Sequence, residues 1–379
     1  AAMADPHVKI VSLTITEKAY CLDPATGQLD IEHPDMRHDI ANPDQPKTAP
    51  GYILAALHRR RALGLKPFTV MSCDNLPSNG KKLHAILVKL AGLRSTEFAD
   101  FIETDVACPS TMIDRIVPQT TDGDRVLAKA ALNLEDAWPI ATEPFTQWVI
   151  EDHFPEGRPD WDRFGAELVD DVAPYEAMKL RLLNASHTML AFLGSLAGYR
   201  MVADAMNDKV IGSFITRFME EDVIPVLTIR PGGDVQAYAA SLQERFRNPA
   251  LNHRLEQIAS DSSQKIPQRF LGTAQDRLAQ GRPLGRLAYA IAGFALYVLG
   301  RDEAGQTLAL NDPMAERLRQ NLVAAGNDPE SIIHALLGFT AIFGQWGRDR
   351  RFVDPLIHAL KTFQSHGVRA SLQAHVNRN

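Results

Sequence analysis

Three side chains in the run Met178-Lys-Leu-Arg-Leu-Leu-Asn-Ala-Ser-His187 have the types and spacing for proton-transfer chemistry. Lys179, Asn184 and His187 stand at i, i+5 and i+8 in a stretch that reads as a helix opened by Pro174. At about 100° per residue, Asn184 falls ~140° around the axis from Lys179, with His187 between them at ~80°, over roughly 12 Å of length. One helical surface then offers a potential base, an amide donor and an imidazole. Burial that pulls a lysine below its usual ~10.4 makes it a base near neutral pH. The spacing alone favours the plainer reading, a solvated lysine with an incidental Asn and His.

The surroundings carry more. Phe145-Thr-Gln-Trp-Val-Ile-Glu-Asp152, Gly157-Arg-Pro159, Val169-Asp-Asp-Val172 and Pro174-Tyr-Glu176 precede the run in that order. Ser72-Cys-Asp-Asn-Leu76 with Asn79-Gly80, and Cys108-Pro-Ser-Thr-Met-Ile-Asp-Arg-Ile-Val-Pro118, lie upstream. From about Ile10 to at least Arg301 the chain resembles the long-chain polyol dehydrogenases, the family of mannitol 2-dehydrogenase and fructuronate reductase. The resemblance implies a hydride transfer between NAD or NADP and a polyol, ketose or sugar acid. Such a reaction needs a base for the hydroxyl proton and donors for the developing alkoxide.

By the same resemblance Lys179 is the base, Asn75 and Asn184 hold the substrate oxygen, and His187 orients the substrate. Asp114 is implied to lie near the lysine. Lys265, in Asp261-Ser-Ser-Gln-Lys-Ile-Pro267, is implied to meet substrate hydroxyls or a carboxylate, with Arg254 and Arg269 as further cations. Ser12, Thr14 and Asn75 are the candidates for the cofactor. Each has a plainer reading: Asn75 as a turn residue beside Pro77, Asp114 as half of an ion pair with Arg115, Arg254 on a solvated face, Thr14 as a β-former.

Two textures run along the chain. Up to about residue 170, β-like runs (Ile10–Ile15, Phe68–Ser72, Ile102–Ala107, Gln147–Ile150) alternate with helical ones. Tyr52–Leu65, with Leu54, Leu57 and Ala62 on one face, reads as the helix of a strand–helix–strand unit, and Ser110 as the cap of a helix after Cys108. Beyond Asp171 long periodic stretches take over: Glu176–Tyr199, Val235–Phe246, Arg286–Leu299 and Asp354–His375, broken at Arg230–Gly233 and Gly281–Pro283. The expected fold is an N-terminally incomplete Rossmann-like parallel-sheet domain (1–170), then a mainly helical substrate domain (171–379).

The incompleteness is read from a missing motif. A G-x-G-x-x-G turn opening a helix normally receives the pyrophosphate, and none occurs here, so weak dinucleotide binding is expected. A non-catalytic paralogue acting as a binding or assembly protein is therefore the reading from another class. Across 379 residues, 45% hydrophobic and 23% charged content suits a two-domain globular chain. A net charge of −6 gives no reason to expect nucleic acid, and no apolar run suggests a membrane span. Three cysteines, Cys21, Cys73 and Cys108, lack CxxC spacing, which suits a reducing cytoplasm. Histidines 153, 187 and 253 lack zinc-ligand spacing, so a metal-free lysine mechanism is expected.

Overall fold

The computed structural model describes residues 2–23, 27–228 and 233–377. The break expected at Arg230–Gly233 falls largely outside them. The chain divides into two compact units, residues 1–115 with 145–176, and residues 116–144 with 177–379. The second boundary falls close to the expected 170/171. The first half, however, yields an arm, residues 116–144, to the second unit.

In the first unit, β1 (Ile10–Leu13) and β2 (Thr69–Ser72) run parallel, with Ile10 opposite Thr69 and Leu13 opposite Ser72. Between them lie α1 (Pro34–Ala41) and α2 (Ala49–Ala62). Thr48 starts α2 by accepting the Gly51 N–H on its hydroxyl, and Pro50 suits the first turn. Leu54 and Leu57 are buried as expected, but Ala62 is exposed. The last buried position on that face is Arg60, whose guanidinium satisfies the carbonyls of Met3, Asp5, Val8 and Lys66.

β2 leads into α3 (Asn79–Gly92), followed by α4 (Thr96–Asp105). The strand expected at Ile102–Ala107 is thus mostly helix. Phe98 and Ile102, four apart, form the buried face of α4, and only Val106–Ala107 is extended, where the Val70 N–H reaches Ala107 O at 2.9 Å. The helix expected after Ser110 is instead β3 (Thr111–Asp114), antiparallel to β4 (Gln147–Glu151), which runs parallel to β5 (Ala166–Val169). Ser110 caps nothing; its hydroxyl is buried without a partner.

The arm carries α5 (Asp122–Leu132), opened by a reciprocal Thr121–Asp124 capping box. None of its residues is buried, and Val126, Leu127, Leu132, Leu134 and Trp138 stand open to solvent. The arm's two ends are tied together. The Glu143 N–H reaches Ile116 O at 3.3 Å, the Glu143 carboxylate takes the Ile116 N–H, and Arg245 grips that carboxylate at 2.8 and 2.9 Å.

The rest of the second unit is helical. α6 (Ala173–Met178), a π-helical turn (Lys179–Asn184) and α7 (Ala185–Leu196) form one run. After it come α8 (Val202–Asn207), α9 (Lys209–Arg217), α10 (Val235–Arg247), α11 (Leu255–Ala259), α12 (Ser262–Ile266) and α13 (Gly272–Ala279). Further π-turns span Phe218–Val223 and Pro267–Leu271. α14 (Leu287–Leu299), α15 (Ala315–Ala324), α16 (Pro329–Leu337), α17 (Thr340–Phe343), α18 (Arg350–His366) and α19 (Val368–Asn377) complete it. Asp354–His375, expected as one helix, breaks at Gly367, whose φ of +79° ends α18.

Every residue of α7 is buried, and nearly every residue of α14, as befits helices apolar on all sides. Their approach is close: a Cβ on Gly293 would lie 2.9 Å from Leu193, and α7 meets α8 and α11 as tightly, where a Cβ on Gly194 would lie 2.9 Å from Ala205 and Leu255.

In the first unit Gly80 is the glycine pressed most tightly against backbone. A Cβ there would meet Cys108 O at 2.4 Å and the Pro109 and Ser110 backbone at 2.6 Å. Backbone cannot swing aside as a side chain can. Gly80→Ala is therefore expected to destabilise by about 1–3 kcal/mol. Urea unfolding measures it, and an unchanged midpoint would refute the contact.

Candidate active site

The sequence places Lys179 and Asn184 some 140° apart on an α-helix. The structure corrects this, because residues 179–184 form a π-turn in which the Ala185 N–H donates to Leu180 O, five residues back. Each such turn holds one extra residue, so position i+5 returns almost over position i. Asn184 therefore shares a face with Lys179. Lys179 is half-buried, and Asn184 and His187 are buried.

The Asn184 carbonyl is held from two sides. Arg269 Nη1 donates to it at 3.2 Å and the Thr188 hydroxyl at 3.0 Å, while Arg269 Nη1 also donates to Thr188 Oγ1 at 2.7 Å. Arg269, read as a cation for a substrate carboxylate, is thus bonded to the helix that carries the candidate base.

His187 stacks on Phe246, ring centroids 4.1 Å apart, and meets His253 edge-on at 5.2 Å. Its Nε2 and the Nδ1 of His253 are buried without partners. The two rings, with Phe246 and Arg245, line a cavity of about 170 Å³ together with residues 201–204, 248, 249, 251 and 252. Burial, above all, holds His187 neutral, with its pKa well below 6.5; His253 and the guanidiniums of Arg269 and Arg245 push the same way. Burial and the nearby Lys265 lower His253 to about 4. Two neutral imidazoles with open nitrogens can donate or accept hydrogen bonds from hydroxyls without carrying charge.

The remaining candidates are placed as follows. The Lys265 ammonium donates to Ile258 O at 3.1 Å and to Ser260 O, carbonyls that close α11. Arg254 is exposed and pairs with Glu256 at 3.0 Å. In the first unit, Ser12 and Thr14 are exposed at the carboxyl end of β1, and Asn75 is exposed in the loop after β2. Asp74, beside Asn75, ties those loops together by accepting the N–H groups of Ile15 and Thr16 and the Tyr20 hydroxyl. Asp114 is buried on β3, whereas Arg115 is exposed, as alternation along a strand requires. Among the described residues no three His, Cys, Asp or Glu side chains gather as a metal site, and no helix is long and apolar enough to cross a membrane.

Sequence reading missed Thr188, Glu143 and Arg245. Thr188 stands one helical turn after Asn184, a local signal. Glu143 and Arg245 are 102 residues apart, and only the fold joins them.

Residues 1–163 match the mannitol dehydrogenase Rossmann domain and residues 171–364 the mannitol dehydrogenase C-terminal domain. The chain belongs to the mannitol dehydrogenase family. Within that family, D-mannonate oxidoreductase of Escherichia coli is 44% identical over 98% of this chain and 76% of its own. Mannitol 2-dehydrogenase of Pyricularia oryzae is 41% identical over 100% of this chain and 76% of its own. The solved structure of Pseudomonas fluorescens mannitol 2-dehydrogenase, a ternary complex with NAD and D-mannitol, superposes with a TM-score of 0.87 at 40% identity, covering 100% of this chain and 76% of that one. The mannitol dehydrogenase fold, a Rossmann-like parallel-sheet part followed by a helical part, is therefore the fold expected from the sequence.

The neutral histidines give this member of the mannitol dehydrogenase family a pH signature. In the unfolded chain each imidazole takes a proton near ~6.5, but in the fold His253 does so only at about 4 and His187 well below 6.5. The unfolded state therefore binds more protons as pH falls, so this stability is complete above ~6.5 and lost below it. Each imidazole contributes a slope of about 1.4 kcal/mol per pH unit. Urea midpoints should fall between pH 7 and 5, and His253→Gln should make the fall shallower. An equal fall in both proteins would show that His253 is charged in the fold.

Proposed function

We propose that this chain carries out the reversible NAD(P)-dependent oxidation of a polyol to a ketose, with mannitol and fructose as the first pair to test. The observation that supports the reading is the π-turn, which brings positions 179 and 184 to one face of the run, three residues before the buried, neutral His187. The Lys179 amine takes the proton of the reacting hydroxyl. The amide donors of Asn184 and Asn75 stabilise the alkoxide, and neutral donors do so without a proton of their own to lose. His187 orients the substrate through its open nitrogen. Asp114 is assigned to the proton path of the lysine, and Lys265 and Arg254 to the outer substrate contacts.

The nicotinamide, when bound, supplies the hydride acceptor. Exposed Ser12, Thr14 and Asn75 at the carboxyl ends of parallel strands fit that end of a dinucleotide. Some amides at the N-termini of α2 and α3 are already taken. Thr48 takes the Gly51 N–H in α2, while Glu176 takes the Ser78 N–H and the Asn79 side chain the Gly80 N–H at α3. Neither offers free amides to a pyrophosphate at those positions.

A sugar-acid reading, mannonate to fructuronate, is supported by the likeness to the Escherichia coli D-mannonate oxidoreductase. Against it stands the engagement of Lys265, Arg254 and Arg269 with protein partners. Turnover with mannitol and mannonate side by side separates the two.

Lys179→Ala is expected to lower kcat by ~10²–10⁴ while leaving the calorimetric Kd for NADH nearly unchanged. Near wild-type turnover across the pH range would reject lysine as the base. If the unaltered chain binds neither NADH nor NADPH, and binding does not return when residues preceding Ala1 are added, the binding-protein reading moves ahead.

A further inference from the structure

The residues of the π-turn at 179–184 give no local reason for it. Lys, Leu and Arg are good α-helix formers, and no proline interrupts the turn. The π-turn at Pro267–Leu271 does begin on a proline, which cannot donate in a helix interior. The two turns pack against each other, and each sends an arginine across. Arg181, from the first, pairs with Asp276 of α13, and its guanidinium passes over Gly272, where a Cβ would lie 3.3 Å from Nη2. Arg269, from the second, grips the Asn184 carbonyl and the Thr188 hydroxyl that bonds the same carbonyl.

We infer that Arg269 is a positioning residue that holds residues 179–184 in the π register, and so keeps Lys179 on the same face as Asn184. Without the guanidinium, the Asn184 carbonyl keeps only the Thr188 hydroxyl among these side-chain donors. The run of α-formers can then relax by one residue, which swings Lys179 away from Asn184. The proposal rests on the catalytic reading of Lys179 and Asn184 given above.

Arg269→Met keeps much of the stem and removes the donors. Amide hydrogen exchange at residues 183–188 should then become at least about tenfold faster while α14 is unchanged, and kcat should fall by about 10², the usual size for a reacting group misplaced by an ångström. The KM for the polyol should move less, and Arg269→Lys should recover part of both effects. Unaltered exchange with kcat within twofold of the parent would overturn the proposal. Should Arg269→Met fail to fold, Thr188→Val removes only the bridging hydroxyl: faster exchange at 183–188 with a smaller loss of kcat supports the clamp, and no change in either overturns it. Lys179→Ala, measured alongside, separates the two layers. If Lys179→Ala is inactive and Arg269→Met is normal, the clamp falls and the reaction stands. If Lys179→Ala is fully active, the proposal falls with the reaction it serves.

Discussion

A charge withdrawn from water must be met at close range or it is not kept, and in the second unit the chain's path depends on one such meeting. Glu143 and Arg245 are 2% and 8% exposed, and two parallel hydrogen bonds join them. Removing one partner of such a pair typically costs about 3–5 kcal/mol, because the other charge is stranded. The Glu143 carboxylate also takes the Ile116 N–H, so the pair closes both ends of the arm at once. The arm therefore belongs with the helices rather than with the strands that precede and follow it. Ile116 and Arg245 both line the histidine cavity, so the same contact shapes the space in front of the two imidazoles.

The polar interior there is coherent. Two guanidiniums and an ammonium lie close enough to His187 and His253 to disfavour protonation, and burial acts in the same direction. The cations are in turn engaged by carboxylate, carbonyl or hydroxyl groups. The result is a region rich in donors whose histidines carry no charge, an environment suited to hydroxyl groups rather than to ions.

Much of this was legible in the residues. Parallel β1 and β2 follow from the apolar runs at 10–15 and 68–72. Helices α10 and α14 follow from periodicity, and Pro174 marks the entry to α6. The misreadings share a cause. Ile102 looks like strand until Phe98 is counted four residues before it, and Thr111–Asp114 is too short for its alternation to outweigh a serine that resembles a cap. The π-turn and the Glu143–Arg245 tie were out of reach for another reason: both are held by side chains about 80 to 100 positions away in sequence, and no local pattern encodes such partners. The roles of Lys179, Asn75 and Asp114 came from likeness to a family, since spacing alone favoured a solvated lysine.

The helical run from Ala173 to Leu196 is continuous to the eye but not in phase. The surplus residue at 179–184 rotates everything from Ala185 onward by about one residue's worth of arc, roughly 100°, relative to an unbroken α-helix. Residues before and after the turn thus follow two different clocks, and a wheel drawn through the whole run puts them on the wrong sides of the axis relative to one another. The stretch can be transplanted or redesigned only as three pieces, with the middle one counted separately.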